Sequence, residues 1–84
     1  MFKKKIKIDI LMYVIDADLQ GLLDIYKDNE NVHILVIDEN CTKFGERCNK
    51  IMFTSYENVS LVRYRALKIY ERKNKDRVKI EVVK

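Results

Sequence analysis

The sequence predicts an α+β fold in which strands and helices follow one another as β-α-β-β-α-β. Three observations carry that expectation. Four segments alternate apolar and polar residues or run apolar in the manner of strands, two recur at helical spacing, and turn residues separate them. This is the split βαβ order of ferredoxin-like folds, in which two helices cover one face of a four-stranded antiparallel sheet and the opposite face can stay open.

Phe2 to Ile15 alternates, with Ile6, Ile8, Ile10, Met12 and Val14 on one side and Lys5, Lys7, Asp9, Leu11 and Tyr13 on the other, which predicts a long first strand. Asp16 or Asp18 can cap the helix that follows, because a carboxylate accepts the unpaired amides of a first turn. Leu19, Leu22, Leu23 and Tyr26 recur along it, and Asp28-Asn29-Glu30-Asn31 ends it. Val32 to Ile37 is a short apolar run, hence a second strand, and Glu39 to Cys48 is expected to be a connection with a turn at Gly45. Lys50 to Tyr56 is the third strand. Asn58 or Ser60 starts a second helix whose Val59, Val62, Ala66, Ile69 and Tyr70 form one apolar stripe, with Arg63, Arg65, Lys68, Arg72 and Lys73 covering the rest. Asn74-Lys75-Asp76 breaks that helix, and Arg77 to Val83 alternates as a last strand. In this topology the first and third strands are central, the fourth pairs with the first, and the open face carries Leu11, Tyr13 and Ile15.

Eighty-four residues predict a single ferredoxin-like domain over positions 1–84. A content of 48% hydrophobic and 36% charged residues excludes a disordered chain. Lys7 and Asp9 interrupt the first apolar run, so it is expected to be a strand and neither a signal peptide nor a membrane span. Two cysteines outside a CxxC pair point to free thiols and a cytoplasmic protein. The composition suits a small bacterial, phage or viral protein.

The net charge of +4 is segregated: residues 1–7 hold four lysines and no acid, residues 63–84 nine bases against three acids, and residues 8–62 four bases against ten acids. Pairing of the first and last strands would gather Lys3, Lys4 and Lys5 near Lys79 and Lys84 as one basic edge, able to attract phosphates or to guard an edge strand from aggregation.

Met12-Tyr13-Val14 on the first strand reads aliphatic, aromatic, aliphatic. Asn49-Lys50-Ile51-Met52-Phe53-Thr54-Ser55-Tyr56 can be laid on an octapeptide that reads basic, Gly, aromatic, Gly or Ala, aromatic, aliphatic, any, aromatic. On these two stretches the chain resembles the RNA-recognition motif family. Phe53 and Tyr56 match aromatic positions, whereas Asn49, Lys50, Ile51 and Met52 depart from the pattern. The resemblance implies that Tyr13 and Phe53 are stacking platforms, each worth ~1–3 kcal/mol per base.

The expected function is that of a non-catalytic binding module for single-stranded RNA, using Tyr13, Phe53, Lys3, Lys4, Lys5, Lys7, Lys50, Arg77 and Lys79. The alternative is a protein-interaction module, such as a phage-type or regulatory inhibitor, working through an apolar sheet face of Leu11, Tyr13, Ile15 and Ile51. The same apolar excess predicts a homodimer through the sheet face or an edge strand. Asp16, Asp18, Asp38 and Glu39 sit where strand-end carboxylates hold Mg²⁺, but capping and turns explain them equally. Cys41, Cys48 and His33 lack a fourth ligand and a recognised spacing. No metal, cofactor, catalytic residue or membrane partner is expected.

Overall fold

The computed structural model describes residues 3–83; Phe2, expected in the first strand, and Lys84, expected at the basic edge, lie outside the described residues. The elements are β1 (Lys3–Val14), α1 (Asp16–Tyr26), β2 (Val32–Lys43), β3 (Glu46–Ser60), α2 (Leu61–Lys73) and β4 (Val78–Val82). The strands form one sheet in the order β2-β3-β1-β4 with every neighbouring pair antiparallel. This is the α+β ferredoxin-like arrangement, with β1 and β3 central and both helices on one face. Among the described residues no helix is long and apolar enough to cross a membrane.

The core lies between the sheet and α2. Ile6, Ile8, Val59, Val78 and Ile80 are buried together, and Ile10, Tyr64 and Leu67 pack against them. Ile6 and Ile51 are 0% exposed, and full burial of such a side chain contributes about 1.5–3 kcal/mol. Neither helix contains a fully buried residue.

Three local features differ from the expectations. The connection drawn from Glu39 to Cys48 is strand instead: β2 and β3 continue into a long hairpin closed at Phe44-Gly45, both with positive φ (54° and 78°). Paired left-handed residues give a turn whose twist matches that of the flanking strands. At the start of α1 the cap position is Ile15, without a side-chain cap, and Asp16 turns to Asn49 and Arg47 of β3. Of the stripe expected on α2, Val59 belongs to β3 and is buried in the core, whereas Val62, Ala66, Ile69 and Tyr70 point away from the sheet and are exposed, while Tyr64 and Leu67 face the core. Two anchors set that rotation. Ser60, the last residue of β3, accepts the Arg63 amide, and Glu71 accepts the Ile80 amide of β4 at 2.5 Å.

Candidate nucleic-acid interface

Residues opposed across antiparallel strands share a face. On the face away from the helices, Lys5, Lys7, Asp9, Leu11 and Tyr13 of β1 oppose Asn58, Tyr56, Thr54, Met52 and Lys50 of β3. Lys79 and Glu81 of β4 oppose Asp9 and Lys7, and His33 and Leu35 of β2 oppose Thr54 and Met52. The open face therefore has three zones: an apolar row of Leu35, Met52 and Leu11, and a polar aromatic patch on either side.

At one end the long hairpin supplies what Tyr13 touches. The Lys43 ammonium stands 4.1 Å from the centre of the Tyr13 ring and 5.7 Å from that of Phe44. Tyr13, Ile15, Lys43, Phe44, Arg47 and Arg77 line a cleft of about 340 Å³, completed by Glu46 and Cys48. Phe44 is 95% exposed at its rim. Lys50 stands opposite Tyr13. At the other end the Tyr56 ring takes His33 edge-on at 6.2 Å and the Lys5 ammonium at 6.0 Å. A cation over an aromatic face at an exposed site contributes about 0.5–1 kcal/mol. Between the ends, Asp9 accepts the Thr54 hydroxyl at 2.6 Å and pairs with Lys7 at 3.6 Å. Lys79 pairs with Glu81 at 2.6 Å, which holds its ammonium above the usual lysine range.

The structure brings Tyr13, Ile15 and Arg77 to one cleft and puts Leu11, Lys5, Lys7, Lys50 and Lys79 on the same open face, with exposed Lys3 aligned at its far end. It does not bring Phe53 or Ile51 there. Phe53 opposes Ile10 on the helix side and its ring meets Tyr26 of α1 edge-on at 5.2 Å, while Ile51 is buried opposite Met12. Strand alternation forces the exchange: with Ile51 and Val59 turned inward, Phe53 turns inward and Tyr56 outward. Lys4 also lies on the helix side, with its ammonium 4.9 Å from the Tyr64 ring centre.

The sequence reading matched Tyr56 to an aromatic motif position without placing it in the site, and it missed Lys43 and Phe44. Tyr56 could have been found by extending the alternation of β3 to Val59. Lys43 and Phe44 could not, because their placement depends on the hairpin.

Of the remaining candidates, Asp16, Asp38, Cys41 and Cys48 have structural partners. Asp16 accepts from Asn49 at 2.8 Å and pairs with Arg47, and these two hold its carboxyl below the usual carboxylate range. Arg47 also donates to the Glu39 carbonyl, and Asp38 accepts the Asn40 amide in a turn. Asn49, a buried polar side chain, thereby ties the start of α1 to β3. Cys41 and Cys48 face each other across the hairpin as free thiols, and burial, reinforced by Cys41, pushes the Cys48 thiol up. Among the described residues no group of three or more His, Cys, Asp or Glu side chains is placed to hold a metal ion. Comparison with family models, curated proteins and solved structures finds no match to this chain.

Proposed function

We propose that the chain is a binding module for single-stranded nucleic acid, RNA first, that engages its ligand across the open sheet face. The observation that carries this reading is the pair Tyr13 and Tyr56, each on the open face with a lysine over its ring. Six β1 positions separate Tyr13 from Lys7, the partner of Tyr56, a span of roughly 20 Å at the rise of a strand. Lys5, Lys7, Lys50, Lys79 and Arg77 supply the charge that phosphates require. Displacing Lys43 or Lys5 from its ring by a base moves the ammonium toward the backbone phosphate, so one movement opens the stacking surface and adds an ionic contact. The apolar row Leu35–Met52–Leu11 supports the second reading, a protein partner on the same face.

Fluorescence anisotropy of labelled oligouridylate and oligothymidylate against salt tests the proposal. The logarithm of the binding constant should fall with the logarithm of salt by roughly 0.7 per phosphate contacted. Tyr56→Ala and Tyr13→Ala should each cost about 1–3 kcal/mol at every salt concentration, while Lys5→Ala/Lys7→Ala should flatten the slope. No detectable binding at low ionic strength would overturn it and leave the protein partner as the reading to pursue.

A further inference from the structure

The helix side of the molecule is unfinished in one copy. Val62 is 77% and Ile25 72% exposed, and Ile69 and Tyr70 are exposed with them. Beside α1, Met12 and Val14 of β1 floor a largely apolar groove of about 380 Å³ walled by Asp18, Gly21, Leu22 and Ile25 of that helix. An apolar stripe at i, i+4, i+7 and i+8 is what a helix presents to another helix, and here it faces outward.

The two helices of this side carry opposite charge. Helix α1 carries Asp16, Asp18 and Asp24 with no base, whereas α2 carries five bases against Glu71. Among the described residues, Asp18 and Asp24 of α1 and Arg65, Arg72 and Lys73 of α2 make no ion pair within the chain. We propose that this side binds a second copy of the same chain, helix layer against helix layer, with the acidic α1 of each protomer on the basic α2 of its partner.

Topology makes such a pairing available. The two crossovers run in opposite directions because β1 and β3 are antiparallel. A two-fold axis parallel to the helices then sets α1 antiparallel on the partner's α2 twice over, the self-complementary arrangement of an isologous dimer. An axis across the helices would set α1 on α1, acid against acid. The β4 edge, by contrast, is occupied at Ile80 by Glu71 and Lys68, so strand pairing there is blocked. This proposal is independent of nucleic-acid binding and leaves both open faces pointing outward.

Sedimentation velocity on the native chain tests it, with circular dichroism as the check on folding. A dimer that weakens with salt is expected. Val62→Asp/Ile69→Asp, at positions exposed in the monomer, should weaken it at least ~100-fold with an unchanged spectrum. Asp18→Lys/Asp24→Lys and Arg65→Glu/Lys73→Glu should each be monomeric alone and form a heterodimer when mixed in equal amounts, which no sheet-face contact or foreign partner would produce. A native chain that stays monomeric up to millimolar concentration overturns the proposal. So does a dimer that survives Val62→Asp/Ile69→Asp but is broken by Leu11→Asp on the open face, or a charge-reversed pair that fails to associate.

Discussion

Glu71 holds the last strand to the last helix, and its removal gives a measurable ledger. Its Oε2 accepts the Ile80 amide at 2.5 Å, and its Oε1 meets the Lys68 ammonium at 2.5 Å, which in turn reaches the Ile80 carbonyl at 3.4 Å. Both outward backbone groups of Ile80, on the unpaired edge of the sheet, are thereby engaged by α2. Hydrogen bonds to a charged group contribute about 1.5–3 kcal/mol, and an i,i+3 ion pair on a helix surface about 0.2–0.5 kcal/mol. Water can reach the vacated edge and recover part of this. Glu71→Ala should therefore cost about 2 kcal/mol, which lowers Tm by about 8–16 °C in a domain of this size. Glu71→Gln keeps an acceptor and loses the charge, so about half of that is expected.

The pH dependence separates this cause from simple loss of packing. Burial works against ionisation of Glu71, but Lys68 and the Ile80 amide outweigh it, so its pKa lies below the usual 4.5. A carboxyl whose folded pKa is depressed stabilises the fold above its unfolded pKa and loses that contribution as pH falls through the folded value. Urea titrations of the native chain and Glu71→Gln should thus diverge at neutral pH and converge on acidification below 4.5. A loss under about 0.5 kcal/mol for Glu71→Ala, or a gap that does not change with pH, would refute the assignment.

Two further outcomes follow from the hairpin. Phe44 adopts a left-handed φ of 54° while 95% exposed; Phe44→Asn should raise stability by up to about 1 kcal/mol in a denaturant titration, and no gain would mean the ring packs in solution. With the Cys48 thiol pushed up by burial, Ellman's reagent at neutral pH should modify Cys41 first and Cys48 only on unfolding or at high pH; equal rates would contradict this. The same shift makes Cys48 favour the fold below the ordinary thiol value of 9.0, a contribution lost as pH rises beyond it.

Element order and strand pairing were legible because period-2 alternation in β1 and β4 is unambiguous: Ile6, Ile8, Val78 and Ile80 alternate with charges and all four are core. The face of β3 was not, since Ile51, Met52 and Phe53 are consecutive apolar residues: one parity buries Ile51 and Phe53, the other Met52 and Tyr56. Helix α2 carries two apolar stripes, and the one that looks more continuous in sequence is exposed. The deciding anchors, Ser60 beside the strand end and Glu71 on the β4 edge, act through the tertiary structure. The hairpin was hidden because its strands contain Asp38, Glu39 and Asn40, and the turn is Phe-Gly where Asn-Gly would announce itself.

The positions that break local rules fall on the two sides of the sheet and not in its core. A buried-looking stripe is left in water on α2, and an aromatic ring is held in a left-handed turn at the hairpin tip. Each costs stability that a self-contained domain would have no reason to give up. The β4 edge is closed by Glu71 and Lys68, and β2 departs from regular pairing near Asp38, which discourages association through strands. With both edges made poor partners, the surfaces left for recognition are the two broad sides. They differ in kind: the helix side offers aliphatic side chains with separated charge of both signs, on which the proposed self-association rests, and the open side offers rings under lysines, on which the proposed nucleic-acid binding rests.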